Sequence, residues 1–285
     1  MSNSSYLRLS LINILRTWAL ALVIAPALLV LFTSLLQNNF DTGAPIHLSL
    51  THYSSWAQPA YINILTRSIT QAFITTLICL VIGYPTAITI ARLKPRHRTI
   101  ALFMIILPFW TSALIRTYAI VALLKAKGLI NTILLTTGVI DQPLALLYSN
   151  TAVIIGCVYD LLPFMILPLY TSISKLDPDL ILAAKDLGAS NSRLYLKIIL
   201  PLTAPGIMAG SLLVFLPSIT LFYIPILLGG AKSMLVGNLI ADQFLAIHQW
   251  PAGAASSVLL TATVLFAIAL FRRMSKQKLS EDLFR

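Results

Sequence analysis

The sequence predicts an all-α, polytopic membrane protein with about six transmembrane helices, forming one transmembrane domain over residues 1–285. Three observations lead there. Hydrophobic residues make up 58% of the chain and charged residues only 10%, whereas a soluble domain carries about a quarter charged residues. The apolar residues gather in long unbroken runs, not in the strict alternation of a membrane barrel, and helices are the other way to satisfy a backbone in lipid. Lys and Arg cluster in alternate segments between those runs.

A helix needs about 20 apolar residues to cross a bilayer. Six windows qualify, at roughly 18–36, 68–91, 99–115, 151–173, 202–227 and 252–271. The first follows Arg8 and Arg16 with no small-residue cleavage site after it, so it reads as a retained helix that also directs insertion. The stretch from Ile130 to Val139 is too short to span and is expected at the outer surface. With the N-terminus inside, all but five of the 20 Lys and Arg fall on the cytoplasmic side. The five outside are Arg67, Arg116, Lys125, Lys127 and Lys232. This places both termini in the cytoplasm and makes the net charge of +11 a matter of topology, not of nucleic-acid binding.

The segment most informative about function is the inner loop at about 174–201. Asp177 suits a helix N-cap and Pro178 the first helical position. Asp179 places acid in the first turn, where the helix dipole favours it. Ala183 and Ala184 are small helix formers that let another surface approach, and Lys185 and Asp186 can hold its register. Gly188 suits a left-handed stop. Ser190 or Asn191 can cap a second short helix running to about Leu200, after which Pro201 starts the fifth span. On these grounds alone the loop is either an ordinary amphipathic connection or a docking element.

The spacing resembles the coupling loop of ABC-importer permeases: Glu-Ala-Ala, three residues, Gly, nine residues, Ile-x-Leu-Pro. Ala183, Ala184, Gly188, Ile198, Leu200 and Pro201 fall in register, and Leu182 stands at the glutamate position. Further segments are similar to spermidine/putrescine permeases. They include Leu107-Pro-Phe-Trp-Thr-Ser-Ala-Leu-Ile-Arg116, Leu161-Leu-Pro-Phe-Met165, Gly229-Gly-Ala-Lys232 and Gln249-Trp-Pro-Ala-Gly-Ala-Ala255. The resemblance implies a type I ABC-importer permease fold and import of polyamines. The partners it implies are a second, PotC-like permease, two copies of a PotA-like cytoplasmic ATPase and an external PotD-like polyamine-binding protein. ATP and Mg would be used by the ATPase, with no cofactor bound by this chain. It also implies that Ala183, Ala184, Lys185, Asp186, Gly188 and Pro201 serve coupling to the ATPase.

Asp160 is the one acidic residue near the middle of an apolar run, where a charge costs about 2.5–3.5 kcal/mol on insertion scales. It is either a counter-charge for a cationic substrate or makes a structural hydrogen bond or ion pair with a neighbouring helix. Trp110, Tyr159, Phe222 and Tyr223 lie on the third to fifth spans, which surround the path in the resembled fold, and their faces attract ammonium groups. Pro217 and Pro225 are positioned to bend the fifth span. Cys79 and Cys157 lie within apolar runs and read as packing residues. His47, His52, His97 and His248 lack metal-type spacing, and no Ser/His/Asp set is present. Gly229-Gly-Ala-Lys-Ser233 lacks phosphate-loop spacing. Two other readings remain open: a permease for another small solute, and a membrane scaffold or enzyme without transport.

Overall fold

The computed structural model describes residues 3–37, 47–230 and 233–283. Lys232 and Arg285, which enter the charge asymmetry, lie outside the described residues, as does the Ala-Lys pair of Gly229-Gly-Ala-Lys232. Among the described residues the sole β-type pairing is an isolated bridge between Leu36 and Leu48. The helices are α1 (Asn3–Ser34), α2 (Pro59–Arg92), α3 (Pro95–Ile106), α4 (Ala113–Leu124), α5 (Leu129–Thr136) and α6 (Asn150–Ile173). They continue with α7 (Pro178–Asp186), α8 (Asn191–Leu194), α9 (Ala204–Thr220), α10 (Val236–Ala241) and α11 (Trp250–Leu283).

Five helical stretches are long and apolar enough to cross a membrane, and six if the bent pair Asn191–Leu202 and Ala204–Thr220 counts as one. Four of the expected windows lie in α1, α2, α6 and α11. The third does not form one helix. Pro108, which has no N–H to donate, lies in a 3₁₀ turn over Leu107–Trp110, and Thr111 and Ser112 are extended before α4 begins. The crossing stretch is instead Ala113–Thr136, interrupted between α4 and α5. Arg116 is therefore a helical residue and not part of an outer loop. Asn131 ties this region together: its amide donates to Lys125 O (3.2 Å) and Leu144 O (3.0 Å), and its oxygen accepts from Leu144 N (2.9 Å).

The fifth window also shifts. Pro201 lies within the helical segment Leu200–Leu202, ahead of the bend, and not at the start of α9. The chain bends by 65° at Thr203, and Pro205 takes the first-turn position in α9. Pro205 has no N–H to return to Pro201, so the ladder breaks there. Thr203 is fully buried and fixes the bend through Ile199 O (2.8 Å) and the Tyr84 hydroxyl (2.9 Å). At its other end α9 stops at Leu221, whose N–H bonds Pro217 O at 2.8 Å, and helix resumes beyond Phe222 with Pro225 in its first turn.

The chain forms two compact units. One joins residues up to 62 with those from 239 onward. In it α1 packs on α11, Ser34 bonds Tyr53 at 2.6 Å, and Trp56 Nε1 donates to Ser256 Oγ (3.3 Å), which donates to Gln243 (2.8 Å).

The other unit spans 63–238 and holds the candidate site. Its core places Cys79, Leu161, Met165, Ile166, Leu169 and Val214 together. Here α6 and α9 run close because of Gly206 and Gly210, four residues apart on one face. A Cβ at Gly206 would stand 2.4 Å from Ser172 Cβ, and one at Gly210 would stand 2.8 Å from Met165 Sδ. Small residues at this spacing let membrane helices pack backbone to backbone. A second cluster unites Leu124, Val153, Cys157, Ile224 and Leu228. Both cysteines are free and buried.

Candidate transport site and coupling loop

The loop after α6 adopts the two-helix form its residues favour. Asp177 caps α7 by accepting from Asp179 N at 2.9 Å. Gly188 stops that helix at φ 76°, and Ser190, not Asn191, caps α8 by accepting from Arg193 N. The second helix passes into a wide π-helical turn, Tyr195–Ile199. The two alanines differ. Ala184 is buried with Leu194 and Ile199 inside the loop's own small core, while Ala183, Lys185, Asp186 and Gly188 are exposed. The outer surface next to them is apolar: Leu182 and especially Leu187, 89% exposed, have no cover in this chain. Arg92 at the end of α2 donates to the Tyr195 hydroxyl (2.8 Å), which fastens the loop to the bundle.

The second centre is Asp160 on α6. Both carboxylate oxygens are engaged. Arg116 Nη2 donates to Oδ1 at 2.6 Å and the Tyr223 hydroxyl to Oδ2 at 2.8 Å. Asp160 and Arg116 are each only 9% exposed, so this is a desolvated ion pair. A lone charge at this depth is expensive, and pairing is how membrane helices tolerate one. The other terminal nitrogen of Arg116, Nη1, donates to Pro108 O (2.9 Å) and Thr111 O (3.2 Å), two carbonyls of the break before α4; Pro108 O also accepts from Thr111 N (3.2 Å) and Thr111 Oγ1 (2.7 Å). The guanidinium also lies 4.4 Å from the Phe109 ring centroid, and Phe109 meets Phe164 edge-on at 5.5 Å. Of the two readings of Asp160, the geometry is that of the ion pair between helices.

Among the aromatic residues singled out, Tyr223 joins this centre directly. Trp110, 74% exposed, stands between the two carbonyls that Arg116 holds, and its ring meets Phe103 edge-on. Phe222 packs against Tyr223, and Tyr159 is exposed beside Asp160. Trp110, Tyr159 and Phe222 are not brought into ring contact with one another. Below Phe164 an apolar groove between α6 and α9 leads past Leu167, Thr171 and Leu213 to Lys175 and Asp177 at the two-helix loop. No cluster suited to a metal occurs among the described residues.

Arg116 is the residue that charge counting misplaced. Its signal was nonetheless present: it is a lone cation within the apolar run Ala113–Leu124, as Asp160 is a lone anion within Asn150–Ile173. Two such residues of opposite sign are natural partners.

A multi-pass helical bundle with broken helices around a buried ion pair, joined to an exposed two-helix loop, defines a membrane permease. The chain belongs to the family described as binding-protein-dependent transport system inner membrane component, whose model matches residues 80–281.

Within that family it is similar to the spermidine/putrescine transport system permease protein PotB of Salmonella typhimurium, with 44% identity over 97% of this chain and 96% of the relative. It is 46% identical to PotB of Escherichia coli K12, over 91% of this chain and 94% of that protein. The fold matches a chain in the crystal structure of a bacterial alginate ABC transporter in complex with its alginate pentasaccharide-bound periplasmic protein. That match has a TM-score of 0.78 and 17% identity, and covers 96% of this chain and 95% of the other.

Proposed function

We propose that this chain is the PotB-type permease of an ATP-driven polyamine importer in a bacterial cytoplasmic membrane. The observation that carries the reading is the near-full-length identity to two spermidine/putrescine permeases. In this reading the chain shares the path with a PotC-like permease, receives spermidine or putrescine from a PotD-like external binding protein, and is driven by two PotA-like ATPases. ATP and Mg belong to those ATPases, and this chain binds no cofactor and catalyses no hydrolysis. Ala183, Lys185, Asp186, Gly188 and the exposed Leu187 present the docking surface, while Ala184 and Pro201 hold its shape. Trp110, Tyr159, Phe222 and Tyr223 supply aromatic faces for ammonium groups, each worth roughly 0.5–2 kcal/mol depending on desolvation. Weak contacts of this kind suit a path that must release its cargo.

The test is uptake. The chain is expressed with the permease, ATPase and binding protein of its own source and assayed in membrane vesicles with labelled spermidine and putrescine. ATP-dependent accumulation that either unlabelled polyamine competes away is the expected result. ATP-dependent uptake of a different solute, untouched by polyamines, overturns the substrate reading and leaves the permease class standing.

The loop 174–201 and both termini are proposed to face the cytoplasm. A cysteine at Ser192, exposed at the start of the second loop helix, should resist an impermeant maleimide in intact cells and react once the membrane is opened. Labelling from outside would reverse the orientation.

A further inference from the structure

We propose that Asp160 and Arg116 are positioning residues, forming a clasp that sets the two broken-helix segments, 107–112 and 221–223, from which Trp110 and Phe222 project. The inference rests on the polyamine-permease reading for its functional consequence, and on geometry alone for the clasp itself.

Irregular backbone at membrane depth persists only where protein buries it or where it lines a cavity. Two of the breaks in this unit are tied to one carboxylate. On one side Asp160 Oδ1 accepts from Arg116, and the same guanidinium also donates to Pro108 O and Thr111 O. Those carbonyls bracket Trp110. On the other side Asp160 Oδ2 accepts from Tyr223, the residue after Phe222, where α9 has ended and helix resumes. The chain of bonds therefore runs from the first break through α6 to the second. A lysine could balance the charge at position 116, but it has no planar fork to serve a carboxylate and two carbonyls at once.

A carboxylate spent in this way is not a free counter-charge. It cancels Arg116, a fixed cation that would otherwise repel a polycation, and leaves attraction of ammonium groups to the aromatic faces. The carboxylate and guanidinium thus act on substrate through the placement of other residues.

The experiment uses the complete transporter in membrane vesicles, with a reporter cysteine at Ser112, an exposed residue in the first break. Two readouts are taken, the maleimide labelling rate at position 112 and the KM and Vmax of polyamine uptake, with co-purification of the ATPase as the assembly control. Asp160→Asn and Arg116→Gln should each change the labelling rate several-fold and cut uptake by about tenfold or more, because each strands one partner of a buried pair. Arg116→Lys should fall between Gln and wild type. The charge swap Arg116→Asp with Asp160→Arg should recover part of the uptake. Should the single variants fail to assemble, Tyr223→Phe serves in their place. It removes only the second bond to Asp160, and should lower uptake severalfold with assembly intact.

The counter-charge alternative gives the opposite pattern. Asp160→Asn raises KM with labelling at 112 unchanged, and Arg116→Gln transports as well as wild type or better. That result overturns the clasp, as does normal uptake by Tyr223→Phe. If the complex transports no polyamine at all, the labelling arm still reads the clasp, so failure of the substrate reading is distinguishable from failure of this one.

Discussion

Gly206→Ala is expected to lower the unfolding temperature of the purified permease markedly, although it adds one methyl group. The new Cβ would stand 2.4 Å from Ser172 Cβ and 2.9 Å from Pro168 O. Neither obstacle is the flexible end of a side chain, so α6 and α9 must move apart. Overpacking of this kind costs about 1–3 kcal/mol, and larger residues such as leucine should abolish the folded protein. Two membrane helices have no hydrophobic force drawing them together within lipid, so a lost close approach is not made good by burial elsewhere. The double variant Gly206→Ala with Ser172→Gly removes one of the two obstacles and should regain part of the loss. Thermal melts in detergent, supported by membrane yield, measure both. An unaltered melt for Gly206→Ala would show that the two helices are not held at this separation.

The second large effect is on coupling. Gly188→Val should leave the permease inserted and abolish most polyamine uptake. Space is not the reason, since nothing lies within 4 Å of a Cβ built at Gly188. Its φ of 76° is the reason: left-handed backbone costs an ordinary L-residue roughly 1–2 kcal/mol, and a β-branched one is a true outlier there. The turn between α7 and α8 then has to rearrange, and Ala184 is drawn away from Leu194 and Ile199. Asparagine tolerates the left-handed region, so Gly188→Asn should retain much of the uptake. The alanines separate two causes of failure. Ala183→Arg, on the exposed face, should block ATPase docking with the loop intact. Ala184→Arg forces a charge into the loop's core and should unfold the loop itself, seen as faster proteolysis within 174–201. Normal uptake by Gly188→Val together with normal ATPase co-purification by Ala183→Arg would remove this loop from the coupling path.

The loop 174–201 was the most legible part of the molecule, because its structure is set by local chemistry. Asp177 can cap only the helix on its C-terminal side, Pro178 fits only a first turn, and Gly188 can be left-handed whatever surrounds it. Those features need no tertiary partner, so their sequence order is close to their geometry. Which alanine faced outward was not legible. A helix of nine residues, Pro178–Asp186, is too short for its own periodicity to fix a buried face, and that choice was made by Leu194 and Ile199 arriving from the next helix.

Sequence alone pointed to a multi-pass helical membrane protein, to where four of its crossing helices lie, and to a two-helix loop at 174–201. Each follows from composition, run length or local turn chemistry. The remaining features depend on which segments meet in three dimensions. The third window failed as one helix because Pro108 has no N–H to continue the ladder, and Arg116, further along the chain, ties down Pro108 O and Thr111 O in the break. The fifth span is bent at Thr203, just past Pro201, because Pro205 broke the helix and buried Thr203 fixed the bend. The role of Asp160 was undecided in sequence because a buried acid can face substrate or another helix with the same composition around it. In the fold Asp160 meets Arg116 and Tyr223, 44 and 63 positions away along the chain, and pairing of a buried charge depends on which helices meet in space, which local sequence does not encode.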